Sequence, residues 1–327
     1  MLIGDDLRAW IGDLQRQHSS RLRAAAVTSR WENGPYHQRF MSAMWAVRSQ
    51  SAPAVAEAIR LLFADDEWVD SLLHALAAEM REDPFFEPPF RHINSDIHSG
   101  LLVYEDDLVS IAAGVSPVAT IAARKTGSRG RTSIAFSGQL SVLKFVKAGG
   151  ARLAFWRAAP ITDAFTANEA GRCEGAGVRD IVDGDILTVD GRSETFVIAQ
   201  ARANLVILQA TVKPGRAPLS VEYDSVSREY IGCTAANDSA SRIQMITTLL
   251  RKLDCAAAFP AIAGFLDHPN FFVRWHVMRE LLGLDAAASM PHLKRMAAAD
   301  PHPETRRTAR VVLDRLQAAP FAARKAA

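Results

Sequence analysis

Apolar residues recur at helical spacing through the first 82 positions of the chain. Three stripes, separated by breaks at Asn33-Gly34-Pro35 and Ser51 to Pro53, contain Leu7, Trp10, Ile11, Leu14 and His18; Phe40, Met41, Met44 and Trp45; and Val69, Leu72, Leu73, Leu76 and Met80. A period near 3.6 residues is typical of amphipathic helices that bury one face. We therefore predict a helical region over residues 1–82, with the tryptophans and methionines of these stripes in its core.

The pattern changes after a proline-rich segment. Pro84, Pro88 and Pro89 remove backbone donors, so residues 83–100 are predicted to be a linker or loop. Between 101 and 232, turn residues separate short apolar or alternating runs at 101–104, 108–112, 134–136, 142–146, 153–156, 186–189, 195–199 and 205–210. One short helix is expected from Ser116 to Lys125. Many short strands joined by tight turns predict an antiparallel β sandwich or barrel.

The stretch from Val178 to Val189 contains the turn Asp183-Gly184-Asp185 followed by an apolar strand. It resembles the turn and core strand of cupin-type jelly rolls, with Asp183 in place of the usual proline. The resemblance extends over about residues 100–230 and implies a cupin-like jelly roll that receives a small ligand or peptide. Asp183, Asp185 and Asp190 each lie beside a glycine, where Asp commonly accepts hydrogen bonds from turn amides, so we assign them to turns.

Residues 91–105 contain the candidate ligands of a metal ion. His92, His98 and Glu105 carry imidazole and carboxylate groups that suit one divalent transition metal. Metal-binding cupins have a His-x-His pair, whereas five residues separate these two histidines and no histidine occurs between His98 and His268. We therefore predict no cofactor. The alternative hypothesis is a metal-dependent enzyme of cupin type, an oxygenase or isomerase, that uses these three residues.

Helical spacing returns after Asp238, and the tail contains a near-duplication. The segment from Asp267 to Arg274 recurs as Asp300 to Arg307, with an Arg seven residues after an Asp in each copy. Stacked helix pairs leave self-similarity of this kind. The copies resemble HEAT-type repeats over about residues 240–317, which implies that these Asp and Arg residues form a structural ladder between adjacent helix pairs. We predict a helical tail over 237–320, with helices at about 256–266, 270–283, 287–299 and 303–317.

One helix of this tail is rich in aromatic residues. Trp275, His276 and Arg279 lie close in sequence to Phe271 and Phe272. Trp and Arg are frequent anchors of protein interfaces, so the first three residues are candidates for binding a protein partner. Burial between stacked helices is the alternative explanation for the aromatic residues.

Two groups of basic residues are candidates for binding anions. The first, a Gly-containing segment whose guanidinium groups suit phosphate, contains Arg124, Lys125, Arg129 and Arg131. A nucleic-acid binder would combine Arg129 and Arg131 with Arg306 and Arg310 of the last helix. The formal net charge is only +2, from 38 Lys and Arg against 36 Asp and Glu. We therefore do not expect nucleic acid as a partner, since the whole molecule has no strong basic field.

Composition is that of an ordinary folded protein of two or three domains, with 327 residues of which 49% are hydrophobic and 23% charged. We expect a cytoplasmic protein without membrane spans. The three cysteines have no CxxC spacing, the N-terminus has no secretion signal, and no long apolar segment occurs. No nucleophile elbow, zinc-protease helix or dinucleotide motif occurs.

The favoured hypothesis is a non-enzymatic binding or regulatory protein of the α+β class. Its helical N-terminal region precedes a cupin-like antiparallel β domain, and the HEAT-like repeats contact a protein partner. An unpaired β edge would also allow two copies to form a homodimer.

Overall fold

The computed structural model describes residues 4–65, 67–95, 98–127, 133–236 and 238–318. Helices come first, strands follow and helices end the chain, which confirms the predicted α+β class. Its contacts form two compact units, one of residues 1–132, 139–156 and 175–216 and the other of residues 133–138, 157–174 and 217–327. The helices before the sheets are α1 (Asp5–Gly12), α2 (Leu14–Glu32), α3 (Pro35–Val47), α4 (Ala52–Phe63) and α5 (Glu67–Glu82).

Strands follow in the described part of the chain, with one short helix, α6 (Val118–Gly127), inserted after the third strand. They are β1 (Arg91–Ser95), β2 (His98–Glu105), β3 (Val109–Ser116), β4 (Ser133–Phe136), β5 (Leu140–Lys147), β6 (Arg152–Arg157), β7 (Glu174–Asp180), β8 (Ile186–Asp190), β9 (Glu194–Gln200), β10 (Leu205–Val212), β11 (Leu219–Asp224) and β12 (Tyr230–Ala235).

The first unit is built on an antiparallel six-stranded sheet in the order β1-β2-β3-β10-β5-β8, with a second sheet in the order β7-β6-β9. Successive side chains of a strand point to opposite faces. Val142 of β5 therefore belongs to the core shared with α2 to α5, whereas Leu143 and Phe145 belong to a second core with β6 and β9 residues. The large sheet is buried on both faces, as the short apolar runs of its central strands predict.

The N-terminal helices pack directly on this sheet. The indole Nε1 of Trp31 donates a buried 3.0 Å hydrogen bond to the Val103 carbonyl of β2. Around it lie the rings of Phe40, Trp68 and Phe90, with centroids 6.2–6.4 Å from that of Trp31. The helical region and one face of the large sheet thus share one hydrophobic core.

Replacing Trp31 with phenylalanine should lower the free energy of unfolding by about 1–2 kcal/mol, because the Val103 carbonyl then loses its buried donor. Urea denaturation followed by circular dichroism measures the change. Trp45→Phe is the matched control, since Trp45 is 67% exposed, and it should alter stability by less than about 0.5 kcal/mol. Equal effects of the two substitutions would contradict the role assigned to the hydrogen bond.

Two expectations about the first unit are wrong. Residues 91–95, predicted as part of a linker, form β1, because they pair in antiparallel register with β2 from Arg91–Leu102 to Ser95–His98. Trp45, Met41 and Met80, predicted in the helical core, are 67%, 52% and 50% exposed, and the guanidinium of Arg48 stacks 3.4 Å from the Trp45 ring centroid. Residues 91–95 are a strand because they pair with β2. The exposed side chains lie on helix faces that point away from the core.

The second unit joins an antiparallel sheet, ordered β12-β11-β4, to a stack of helices. These are α7 (Asp238–Lys252), α8 (Phe259–Ala263), α9 (Phe271–Leu284), α10 (Ala286–Ala299) and α11 (Pro303–Ala318). The predicted helix over 256–266 is divided into two 3-10 turns that flank α8. Helix α9 is central, because its fully buried Val273, Val277 and Leu281 form a core with residues of α7, α10 and α11.

Candidate functional site

The turns before α9 and α11 are built in the same way. Nη1 of Arg274 donates to the carbonyl oxygens of His268 and Pro269, both at 2.8 Å, six and five residues earlier in the chain. Arg306 on α11 donates to the two carbonyl oxygens at the same offsets. Arg274 and Arg306 are therefore equivalent positions of two successive repeats, each fixing the turn that precedes its helix.

Arg274 also connects the two repeats. Its Nε and Nη2 atoms donate to the two carboxylate oxygens of Asp300 at 2.8 and 2.7 Å, and the two side chains are only 7% and 3% exposed. Asp300 in addition accepts the His302 amide at 2.9 Å. This bidentate, charge-assisted pair is the ladder rung that the HEAT resemblance implies.

The ladder roles predicted for Asp267 and Arg307 are wrong. Asp267 is 78% exposed and lies 3.3 Å from Arg295, and Arg307 makes an exposed 3.7 Å contact with Glu304. Asp267 is the last residue of the 3-10 turn before residues 268–270, whereas Asp300 is the first residue of the equivalent turn 300–302, so the two Asp residues are not equivalent positions. Arg306 therefore takes the position that the sequence comparison gave to Arg307.

A cavity of about 550 Å³ lies beside these turns, and the imidazoles of His268, His292 and His302 line it together with Arg295. The His302 ring is 4% exposed and stacks on Phe271, with the centroids 3.8 Å apart. Thr305 N–H donates to its Nδ1 at 3.4 Å, so the neutral ring carries its proton on Nε2. Within the described residues that Nε2 has no hydrogen-bond acceptor. The lining also contains the side chains of Asp163 and Asp267, and this grouping of imidazoles is a feature that the sequence did not indicate.

A second concave surface brings the predicted partner-binding residues together. This groove, of about 280 Å³, lies between α7, α9 and α11 and is lined by Gln244, Phe271, Phe272, Trp275, His276, Arg279, Glu304, Thr305 and Thr308. Trp275 is half-buried against the helical core, whereas the Arg279 side chain is exposed. We call this surface the α9 groove.

His276 fixes α9 against α7 at the base of the α9 groove. Its Nε2 lies 3.0 Å from the Gln244 carbonyl and 2.9 Å from the Thr248 hydroxyl. Because a carbonyl only accepts, Nε2 carries the proton. Burial lowers the pKa of His276, so the ring is neutral at pH 7. The buried carboxylate of Glu280, which accepts from Arg251, lies 3.6 Å from the same nitrogen.

The three candidate metal ligands are not brought together. His92 lies on β1, and His98 and Glu105 occupy the two ends of β2, a separation of about 23 Å at 3.3 Å per residue. The Glu105 carboxylate instead contacts Arg91 at 3.2 Å and Lys213 at 3.1 Å. In the described ranges no cluster of three or more His, Cys, Asp or Glu side chains is suited to hold a metal ion.

His98 has a local packing environment of its own. An ideal Cβ on Gly114 would lie 2.1 Å from the His98 Nε2, so the ring occupies space that this glycine leaves on β3. Its Nδ1 lies 3.3 Å from the Ser116 hydroxyl, and burial lowers the pKa of His98. The antiparallel pairing of β2 with β3 thus determines where this imidazole lies.

The structure describes the predicted arginines of the last helix but not the side chains of the predicted anion-binding segment. Arg129 and Arg131, and the side chains of Arg124 and Lys125, lie outside the part of the chain that the structure describes. In the last helix, Arg306 binds turn carbonyls and Arg310 donates from Nε to the Ala297 carbonyl at 2.8 Å. These two guanidinium groups are engaged within the protein, which disfavours the arginine face proposed for nucleic acid.

The carboxylates assigned to turns do accept turn amides. Asp183 accepts the Ala148 amide at 2.8 Å, which with Lys147 lowers the pKa of Asp183. Asp190 accepts from the guanidinium and the amide of Arg192, and these bonds lower its pKa in spite of partial burial.

Comparisons with known proteins agree with the helical tail. The family model of HEAT repeats matches residues 232–314, which confirms the predicted repeats in this part of the chain. A HEAT match is compatible with a binding or regulatory role and names no partner. No curated protein matches the sequence significantly. No helix in the described residues combines the length and apolar character needed to cross a bilayer.

Three solved structures are similar to parts of the chain, each with a TM-score of 0.23. Ectoine synthase from P. lautus is 12% identical over 38% of this chain and 69% of its own. A cupin domain from Bordetella pertussis is 15% identical over 37% of this chain and 98% of its own. An HTH_3 family transcriptional regulator from Vibrio cholerae is 9% identical over 54% and 94%, respectively.

Proposed function

We propose that this protein is a non-enzymatic binding protein whose HEAT-like repeats bind a segment of a protein partner in the α9 groove. The observation that carries the proposal is the convergence, in one groove, of three aromatic rings from α9 with the exposed guanidinium of Arg279. Ligand binding by the β region and a cytoplasmic location stay predictions.

The groove has the properties of a preformed recognition surface. Trp275 is held by the helical core, so little rotamer freedom remains to be lost on binding. His276 and Glu280 join α9 to Gln244 and Arg251 of α7, which fixes the walls of the groove relative to each other. A rigid aromatic surface next to an arginine is the composition typical of interface hot spots.

The charges of the groove indicate the chemistry of the partner. Arg279 has no carboxylate partner within the described residues, whereas Glu304 on the opposite wall is 3.7 Å from Arg307. The charge beside the aromatic rings that no neighbouring side chain neutralises is thus the positive charge of Arg279. We infer that the bound segment carries a large apolar side chain followed by Asp or Glu.

Peptides selected from a phage-displayed random library on the full-length protein test this proposal. Their affinity, measured by isothermal titration calorimetry, should fall at least about 10-fold for Arg279→Glu, equivalent to about 1.4 kcal/mol. Trp275→Ala should reduce it by about 30-fold, as removal of a hot-spot aromatic residue does.

The matched control is Arg315→Glu, which makes the same charge change at an exposed position of α11 outside the groove. Its affinity should stay within about two-fold of the unmodified protein, as expected for a residue without contact to the peptide. Peptides that bind all three variants equally would overturn the assignment of the α9 groove.

A further inference from the structure

The cavity of about 550 Å³ beside the turns before α9 and α11 lies within the second unit. Two long helices begin at its wall, α9 at Phe271 and α11 at Pro303. The first turn of a helix carries partial positive charge and amides without helical acceptors. Asn270 makes no side-chain cap of α9, and the amides of Phe271 and Phe272 have no acceptor within the described residues. We call this space the histidine cavity.

His302 leaves an unpaired donor at the wall of the histidine cavity. The residue is buried, and its ring is stacked on Phe271. Its Nδ1 accepts from the Thr305 amide in the first turn of α11, so Nε2 is the nitrogen that carries the proton. In the described part of the chain nothing accepts from this buried Nε2. A buried donor without an acceptor is costly, so a ligand oxygen that accepts this proton removes the cost.

His268 offers a second donor of the same kind. The Asn270 amide donates to its Nδ1 at 3.1 Å, and burial lowers the pKa of the His268 imidazole. The ring is therefore neutral at pH 7 with its proton on Nε2. Since His268 and His302 both line the histidine cavity as Nε2 donors, the ligand group that meets them is an acceptor.

The charged side chains that line the histidine cavity are paired, with one exception. Arg274 is neutralised by Asp300, and Arg295 lies 3.3 Å from Asp267. Asp163 is exposed, and among the residues that the structure describes it has neither an ion pair nor a hydrogen bond. A ligand that complements this wall therefore carries a cation as well as an acceptor.

We propose that the histidine cavity binds an α-amino acid with a large apolar side chain. The carboxylate of the amino acid accepts from Nε2 of His302 where the two helices begin, and its ammonium group pairs with Asp163. Leu266, Phe271 and Met296 also line the cavity and provide apolar surface for the side chain of the ligand. The volume of about 550 Å³ is within the range of small-molecule sites, so both charged groups and a large side chain fit.

NMR titration of the full-length protein, labelled with ¹⁵N at histidine, tests the proposal. The probes are L-leucine, L-methionine and L-phenylalanine, and L-alanine is the reference without a large side chain. At least one probe should bind more tightly than L-alanine, with a dissociation constant of about 1 mM or less. It should shift the Nε2–H resonance of His302, which is identified by its loss in His302→Asn.

Two derivatives of the best probe test its charged groups. The N-acetyl derivative lacks the ammonium group and the amide derivative lacks the carboxylate, so each should bind at least about 10-fold more weakly than the parent. No shift with any probe up to about 10 mM, or a derivative that binds as tightly as the parent, would overturn the proposal.

Two substitutions test the contacts assigned to the protein. His302→Asn keeps an acceptor for the Thr305 amide and removes the Nε2 donor, whereas Asp163→Asn removes the unpaired carboxylate. Each should weaken binding of the best probe at least about 10-fold. Asp314→Asn makes the same charge change at an exposed position of α11 outside the cavity and should alter the affinity less than about two-fold. Circular dichroism identifies the folded variants, and a folded variant at either cavity position that binds as tightly as the unmodified protein would contradict the assignment.

Discussion

Replacing Arg274 with alanine is expected to lower the free energy of unfolding of the second unit by about 3–5 kcal/mol, the loss typical when one partner of a buried ion pair is removed. Asp300 would keep its buried charge, with the His302 amide as a remaining donor. The carbonyl oxygens of His268 and Pro269 would lose their shared donor as well. Few single substitutions have effects of this size, and those that do act through buried features of this kind.

Urea denaturation measures the total change, and hydrogen exchange of peptides from α9 and α11 locates it. Arg306→Ala is the matched control, because Arg306 binds the equivalent carbonyls without a buried carboxylate partner, and it should cost only about 1 kcal/mol. The double substitution Arg274→Met with Asp300→Leu should recover most of the loss, since it leaves no buried charge unpaired. A loss as small as that of Arg306→Ala would show that the buried pair does not stabilise the repeats.

The repeat motif was predictable from sequence because its residues act at short range. An Arg that binds carbonyls five and six residues earlier leaves a fixed spacing in the chain, so Arg274 could be identified directly. The ladder rung to Asp300 followed from the family resemblance. The Arg equivalent to Arg274 in the next repeat could not be located by counting from Asp, because Asp267 precedes the capped carbonyls whereas Asp300 supplies one of them.

Periodicity predicted the helices better than it predicted their buried faces. Ile246, Leu249 and Leu253 fit a helical stripe with Ile243, yet these three side chains face away from the core that Ile243 joins. Apolar residues on two sides of one helix give the same period as a single wide stripe. Only the position of α9 shows which side of α7 is covered within the chain.

Strand prediction missed β11 and β12, although β11 alternates buried and partly buried residues, and it also missed β1 and β7, where the sequence is polar or short of apolar residues. Strand β1 has the sequence Arg-His-Ile-Asn-Ser, and β7 is exposed along its whole length. Neither contains the alternation that marks a half-buried strand. Both β1 and β7 are strands because their backbones pair with neighbouring strands. Such pairing depends on the rest of the sheet and is not visible in the residues of the strand itself.

The α9 groove was only partly predictable. Trp275, His276 and Arg279 could be selected by residue type on one helix, but the opposite wall comes from Glu304 and Thr308 of the next repeat. The proposed metal ligands show the reverse case, since His98 and Glu105 are close in sequence and lie at opposite ends of one strand. Residues four positions apart lie close together on one side of a helix. Residues seven positions apart on a strand lie about 23 Å apart.

Replacing Asp83 with asparagine is expected to lower the free energy of unfolding of the first unit by about 2 kcal/mol, because hydrogen bonds to a charged group are lost. The Asp83 side chain is 1% exposed and lies 3.1 Å from Arg23 and 3.5 Å from Arg16. These arginines and Ser20 occupy one face of α2, so the carboxylate joins α2 to the end of α5. Glu79→Gln is the control, because Glu79 pairs with the exposed Arg30 of the same helices and should contribute less than about 1 kcal/mol.

The effect of Asp83→Asn should depend on pH in a defined direction. Burial alone would raise the pKa of Asp83, but hydrogen bonds from the Phe85 amide and the Ser20 hydroxyl, together with Arg16 and Arg23, lower it below its usual value. A carboxyl whose pKa is lower in the folded state stabilises the protein above its unfolded pKa of about 3.9, and this contribution is lost as pH falls through the folded value. The stability difference between the unmodified protein and the variant should therefore be full at pH 6 and begin to shrink below about pH 4, where the carboxyl is protonated in the unfolded state, and it is lost once pH falls below the lowered pKa of folded Asp83. Urea midpoints across this range measure it, and a difference that grows toward low pH would contradict the ionised, hydrogen-bonded carboxylate.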